Sequence, residues 1–188
     1  QARIRELSGQ VFLSSYQDFA YQQSINQQYA LELGAGTAKS SWLASVGYDQ
    51  NISELHAPYK RLNLRLEQKL QLTDKWNINA RLWFTGSRAK NGRPSVESVT
   101  TVNGNIPIYT QLYDANGAAI PAINSYRLSY LATTGNGKLL DWNYYPLTDD
   151  SYNVTNGKFS ELLFNGMLSY KLFSGLSAEL RYQIQRQI

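Results

Sequence analysis

The residues with the clearest potential for binding chemistry are aromatic, and many of them fall in the segment 87–156. Aromatic ring faces stack on sugar rings and make contacts with peptides and proteins. The candidates for contact with a substrate or a partner are Tyr109, Tyr113, Trp142, Tyr144 and Tyr145. The alternative interpretation is that these rings pack a small core of the segment itself. The sequence leaves both interpretations open.

Groups that catalyse reactions or bind metals are scarce in this chain. Its 188 residues include no cysteine and a single histidine, His56, which lies in a loop. Disulfide scaffolds and thiol nucleophiles are therefore excluded, and little remains for a histidine metal site or a serine–histidine triad. Asp141, Asp149 and Asp150 offer oxygen ligands of the kind that Ca²⁺ takes, but their spacing fits solvated turns better than a calcium loop. We predict no catalytic residue, no metal site and no cofactor.

The composition excludes further classes. No apolar run approaches the roughly 18–20 residues of a transmembrane helix. Aromatic residues make up 13% of the chain and the net charge is only +4, which argues against disorder. The positive charges are spread along the sequence rather than gathered in a basic patch, so we expect no nucleic-acid partner.

Six segments alternate apolar and polar residues, the pattern of strands with one apolar face. In the clearest one, leucines alternate with Arg61, Asn63, Arg65 and Glu67. We predict an all-β antiparallel fold with four hairpin strands over 25–86, a long loop over 87–156 and two strands over 157–188. Residues 1–24 are weakly patterned, and we predict no helix.

Two environments explain the alternation: the core of a soluble sandwich, or the lipid around an outer-membrane barrel. Three features favour lipid. The runs span about 10–13 residues, near the length of membrane strands. Aromatic residues such as Trp42 and Trp76 end the apolar faces, and short turns alternate with long loops. The polar faces would then line the lumen, and they carry Arg61, Asn63, Arg65, Glu67 and Arg81.

Successive connections of an antiparallel barrel alternate between the two sides of the membrane. We therefore expect the short turns in the periplasm and the long loop outside the cell, with residues 1–24 as the end of another extracellular loop. Six strands are too few to close a barrel, since the smallest has eight. The chain also begins at Gln1 without an initiator methionine. We therefore expect an interior slice of a larger transmembrane β-barrel.

Six sequence motifs, in order, resemble the SusC/RagA-like TonB-dependent transporters of Bacteroidetes. The motifs cover a strand and turn, two further strands, two loop segments and a final hairpin. They are 27–39 (QQYALELGAGTAK), 41–50 (SWLASVGYDQ), 59–65 (YKRLNLR), 106–117 (IPIY to LYDANG), 140–147 (LDWNYYPL) and 169–176 (SYKL to GL). The resemblance covers most of residues 25–188.

The resemblance implies a 22-stranded outer-membrane barrel with an N-terminal plug, of which these six strands resemble the second to the seventh. It implies import of oligosaccharides or peptides, driven by TonB through the missing N-terminal part, together with a SusD-like lipoprotein. The lipid bilayer and the barrel assembly machinery are the other implied partners. The implied location is the outer membrane of a Gram-negative bacterium.

Two other classes remain as alternatives. The first is a soluble or secreted β-sandwich module that binds carbohydrate. The second is an outer-membrane barrel enzyme, which is disfavoured because no histidine, serine and carboxylate constellation is apparent. The transporter interpretation predicts a protein that is not an enzyme.

Overall fold

The computed structural model describes residues 12–187, and within that range the chain divides into two compact units. The sheet unit comprises residues 25–52, 58–90 and 156–187. The loop unit comprises residues 12–24, 53–57 and 91–155. Each unit is described separately.

The sheet unit is one six-stranded antiparallel sheet, and the loop unit adds a two-stranded ribbon. In chain order the strands are β1 (Ile25–Gly36), β2 (Ser40–Ile52), β3 (Pro58–Gln71), β4 (Trp76–Lys90), β5 (Thr100–Thr101), β6 (Gly104–Asn105), β7 (Asn156–Phe173) and β8 (Leu176–Gln187). The large sheet has the order β1-β2-β3-β4-β7-β8, and the ribbon pairs β5 with β6. The predicted all-β antiparallel class is thereby confirmed, and the sheet is open, because β1 and β8 each pair with one described neighbour.

The strands are longer than the predicted runs at the loop ends. The alternation was expected to stop near Gly86, but β4 continues to Lys90, which lies opposite Asn156 on β7. The ladder extends because backbone pairing does not require apolar side chains. The six strands have 12 to 18 residues, well above the usual five or six.

The register aligns alternate residues of neighbouring strands in rows across the sheet, so that one face is mainly apolar and the other is mainly polar. Leu64 lies directly opposite Val46 on β2 and Phe84 on β4, while its neighbour Arg65 lies opposite Ser45 on the other face. Period-two alternation in neighbouring strands therefore produces an apolar face and a polar face. Some large apolar residues lie within the polar face, among them Leu43, Trp83, Leu163 and Met167.

Three short turns join neighbouring strands at one end of the sheet. The Thr37 hydroxyl accepts a hydrogen bond from the Ser40 amide at 3.2 Å, and the Thr73 hydroxyl accepts one from the Trp76 amide at 3.1 Å. Threonine stabilises such turns by replacing a backbone acceptor. The third turn places Gly175 at a φ of +94°, where a residue without Cβ is unstrained.

The loop unit contains a helix that the sequence analysis did not predict, α1 (Phe12–Ala20). Phe12, Tyr16 and Ala20 are buried at four-residue spacing, which puts them on one face of the helix. The expectation of no helix was wrong, because the apolar residues of this segment recur at the helical spacing of four residues rather than in strict alternation. A shorter helix, α2 (Leu128–Thr133), and three 3₁₀ turns complete the unit (Val96–Ser98, Thr134–Gly137 and Asp149–Tyr152).

A small hydrophobic core holds the loop unit together. Tyr16 and Leu112 are its two most buried large side chains, each 1% exposed. The Phe12 amide donates to the Ile108 carbonyl at 2.7 Å, and the Tyr16 hydroxyl donates to the Pro94 carbonyl at 3.0 Å. The other core residues are Ala20, Val96, Val99, Ile106 and Leu147. The predicted loop 87–156 is therefore a packed structure rather than an extended connection.

Candidate functional site: the two faces of the sheet

The most buried side chain of the sheet unit is an acid on the polar face. Asp49 is 8% exposed, and its Oδ2 atom lies 2.7 Å from Nε of Arg61, the residue directly opposite on β3. Arg61 keeps 43% of its side chain exposed. The pair therefore satisfies a desolvated carboxylate while presenting a guanidinium to the polar surface.

A second charged cluster lies further along the same face, where two arginines share one acid. Arg65 donates through both Nε and Nη2 to Oε1 of Glu67, at 2.9 and 2.5 Å. Arg81, which lies directly opposite Glu67 on β4, places its Nε atom 3.8 Å from the same oxygen. Since two cations share one carboxylate, the cluster keeps an excess positive charge.

Neutral polar groups connect these charged pairs. Asn63 lies between Arg61 and Arg65, and its Oδ1 atom accepts a hydrogen bond from the Thr85 hydroxyl at 3.1 Å. Gln185 donates to Glu161 on the same face of β7 and β8. All five predicted lumen residues thus share one face, and they form a surface suited to water and polar solutes.

The opposite face is apolar and uncovered. Among the described residues, no hydrophobic side chain of the sheet unit is buried. Counted over whole residues, Leu62, Leu64 and Leu66 are 36%, 39% and 51% exposed, whereas their polar neighbours on β3 are half-buried. A sheet in water would normally hide such a face, because large contiguous apolar patches are rare on soluble monomers.

The aromatic candidates of the loop unit divide into two groups. Tyr109, Tyr113 and Trp142 are 58%, 40% and 54% exposed. Tyr144 is half-buried and packs against the hydrophobic core, and Tyr145 is also half-buried. The first three rings are available for contact, whereas Tyr144 serves at least in part as packing.

The positions of these aromatic residues follow from local structure. The Tyr144 carbonyl accepts the Ala122 amide at 2.8 Å, and the Tyr145 amide donates to Oδ2 of Asp149 at 2.9 Å. Trp142 lines a small hollow of about 130 Å³ with Leu131 and Leu139. The exposed indole therefore lies beside a small hollow that is lined by both apolar and polar residues.

Two tyrosines and Asp114 are among the groups of the loop unit with shifted pKa values. Burial, with a smaller contribution from the Asp150 charge, raises the pKa of Tyr16 to about 12. Burial, with the Asp149 charge, also raises the pKa of Tyr144. Hydrogen bonds from the Ala118 and Asn116 amides lower the pKa of Asp114. These groups therefore keep their usual charge states at neutral pH.

Residues 12–187 contain no cluster of three or more histidine, cysteine, aspartate or glutamate residues that could hold a metal ion. None of the described helices is long and apolar enough to cross a membrane.

Two features of the sheet were not singled out from the sequence. The pairing of Asp49 with Arg61 depends on the β2–β3 register. Lys60, Arg88 and Lys158 lie in one row at the loop end of the apolar face, which also requires the register. The sequence signal for the row is Lys60, a basic residue two positions before Leu62, the first leucine of β3.

Comparison with known proteins finds no family model and no curated protein that matches this chain.

Proposed function

We propose that this chain is part of a TonB-dependent outer-membrane transporter that imports oligosaccharides or peptides together with a SusD-like lipoprotein. The observation that carries the proposal is the uncovered apolar face of the six long strands, opposite a face of paired charges and amides. In an outer-membrane barrel the first face contacts lipid and the second lines the lumen.

The length of the apolar face supports this assignment. The leucines of β3 and its following turn extend from Leu62 to Leu72, ten residues along the chain. At about 3.3 Å per residue this is about 33 Å. A strand tilted by about 40° would then cross about 25 Å of membrane, which is the height of the apolar band in such barrels.

Aromatic residues at the turn end of the apolar face give further support. Trp76 on β4 lies directly opposite Tyr170 on β7, with ring centroids 4.4 Å apart. On β2, Trp42 lies two rows further from the turns, opposite Gln68 rather than another ring. A girdle in the membrane plane would shift in this way across strands that are tilted to the membrane normal.

The open edges of the sheet mean that the proposed barrel needs further strands. Among the described strands, β1 and β8 each leave one side of the backbone unpaired. Unpaired backbone groups in lipid cost several kcal/mol each, so further strands must complete the barrel. By the family resemblance the complete barrel has 22 strands, with a plug that contacts TonB, and the barrel assembly machinery inserts it.

The loop unit is the proposed extracellular part that contacts substrate or the lipoprotein. The exposed rings of Tyr109, Tyr113 and Trp142 are suited to stacking on sugars or to contact with a protein surface. The proposal assigns transport and binding rather than catalysis, in the outer membrane of a Gram-negative bacterium of the Bacteroidetes.

Membrane extraction and affinity purification test this proposal. The native protein, tagged in the loop unit, is expected to stay in the outer-membrane fraction after carbonate and urea washes. In detergent it is expected to copurify with a lipoprotein. A protein that is released by the washes and remains monomeric in detergent-free buffer would contradict the proposal and favour the soluble carbohydrate-binding module.

A further inference from the structure

Three cations form a row at the loop end of the apolar face. Lys60 on β3 lies directly opposite Arg88 on β4, which lies directly opposite Lys158 on β7. All three side chains are exposed. Lys90 lies two residues beyond Arg88 on the same face and is also exposed. The apolar face of the sheet therefore ends in a concentrated positive charge, which we name the cationic row (Lys60, Arg88 and Lys158).

No acid on the described strands compensates this charge from the same face. The acidic residues of the strands lie on the polar face (Glu32, Asp49, Glu67, Glu161 and Glu179). Within residues 12–187, none of the three cations forms an ion pair. Like charges directly opposite each other on neighbouring strands destabilise a sheet. An anion bound from outside the chain would remove that repulsion.

A hollow lies beside the cationic row, between the charges and the apolar face. In the next row, Tyr48 and Leu62 are followed on β4 and β7 by the small residues Gly86 and Ser160. The Phe84 ring occupies the space over Gly86, where an added Cβ would lie 3.2 Å from it. The hollow has a volume of about 610 Å³, and Lys60, Arg88 and Lys158 are among its lining residues.

We propose that the cationic row binds the phosphate groups of an anionic membrane lipid, with the acyl chains lying along Leu62 and Phe84. This inference rests on the proposed membrane function. The level of the row fits a headgroup, since Lys60 lies two residues before Leu62, the leucine of β3 nearest the loop end of the apolar face. Lysine and arginine side chains at that level reach the interface while their stems stay on apolar surface. Positive charges near anionic lipids add to binding at each position.

Lipid binding to the full-length protein in detergent tests the inference. Native mass spectrometry would compare phosphatidylglycerol with phosphatidylcholine for the wild type and for the variant with Lys60→Gln, Arg88→Gln and Lys158→Gln. Each cation near a lipid surface contributes roughly fivefold, so the triple variant is expected to lose about 100-fold in phosphatidylglycerol affinity. Phosphatidylcholine binding should not change.

A matched control removes the same charge at the turn end of the sheet. Lys39→Gln, Lys75→Gln and Lys171→Gln alter three exposed lysines there, and this variant should bind phosphatidylglycerol as the wild type does. If the control loses affinity equally, or if the test variant loses none, the inference is wrong. Competition by inorganic phosphate at the same concentration as the lipid would show a site for free phosphate and overturn the lipid assignment.

Single variants keep the inference testable if the triple variant does not fold. Arg88→Gln and Lys158→Gln alone are each expected to weaken phosphatidylglycerol binding about fivefold, and unchanged binding in both would refute the inference. The wash experiment on the wild type distinguishes a failure of the lipid site from a failure of the proposed membrane function. A protein that stays in the membrane but shows no lipid preference contradicts only the lipid site, whereas a protein that is washed out contradicts the membrane function as well.

Discussion

Asp49 and Arg61 lie directly opposite each other on β2 and β3, and 2.7 Å separates the carboxylate Oδ2 from the guanidinium Nε. Asp49 is the buried member at 8% exposure, while Arg61 is partly open to the polar face. The sheet thus places its most desolvated charge on the face that is proposed to line the lumen.

The first prediction concerns this pair. Arg61→Ala leaves the Asp49 carboxylate desolvated without a partner, so we expect it to destabilise the sheet more than the double variant Asp49→Ala with Arg61→Ala. Urea unfolding of the protein in detergent micelles would measure the midpoints. Equal midpoints for the single and double variants would show that the unpaired Asp49 carboxylate costs little.

The second prediction tests which face contacts lipid. Leu64→Arg places a charge on the apolar face, near the middle of the proposed membrane span, and should cost about 2–4 kcal/mol of folding free energy. Asn63→Arg alters the adjacent residue on the polar face and should cost much less, apart from the lost Thr85 hydrogen bond. The yield of heat-modifiable protein in the outer membrane is the readout. Similar losses in both variants would refute the assignment of the faces.

The third prediction follows from the buried hydroxyl of Tyr16. Its pKa is raised from an ordinary value of about 10 to about 12, so folding favours the protonated form. The associated stability is present below pH 10 and is lost as the pH rises toward 12, by roughly 1–2 kcal/mol. Alkaline titration, followed by tyrosinate absorbance and circular dichroism, should show late ionisation of one tyrosine together with loosening of the loop unit.

Tyr16→Phe serves as the control for that titration. The variant lacks the hydrogen bond to Pro94, which should cost about 0.5–1.5 kcal/mol at neutral pH. It should also lose the alkaline step that Tyr16 causes. An unchanged step in this variant would assign the step to another tyrosine, such as Tyr144.

The fourth prediction concerns the turn from Asp114 to Ala118. The Asp114 carboxylate accepts the amides of Asn116 and Ala118 at 2.8 and 2.9 Å, which lowers its pKa. Its contribution is therefore present above the ordinary carboxyl pKa and is lost as the pH falls through the lowered value. Asp114→Ala should accelerate hydrogen exchange of both amides several-fold, whereas Asp114→Asn, which keeps an acceptor oxygen, should preserve most of the protection.

The fifth prediction separates contact from packing among the aromatic candidates. Trp142→Ala should weaken binding of the proposed transport substrate or lipoprotein partner about two- to tenfold and leave the stability of the loop unit unchanged. Tyr144→Ala should instead lower stability, because Tyr144 packs against the core. Binding titrations and thermal unfolding measure the two effects, and loss of stability in the Trp142 variant would contradict its assignment as a contact residue.

The alternation of Leu62 to Leu72 with Arg61, Asn63, Arg65 and Glu67 was sufficient to predict a strand and its two faces. This worked because the direction of side chains in a strand depends only on the parity of the residue. The same local signal predicted the other five long strands. It did not predict α1, because the placement of Phe12 and Tyr16 depends on hydrogen bonds to the distant carbonyls of Ile108 and Pro94.

The sequence by itself therefore determined the strands, the two faces and the choice of polar and aromatic candidates. The tertiary structure decided which residues meet. It paired Asp49 with Arg61, gave Glu67 two arginines, and aligned Lys60 with Arg88 and Lys158. It also left Trp142 exposed while Tyr144 joined a core. The physical reason is that parity is a property of one strand, whereas register and burial depend on contacts between residues far apart in the chain.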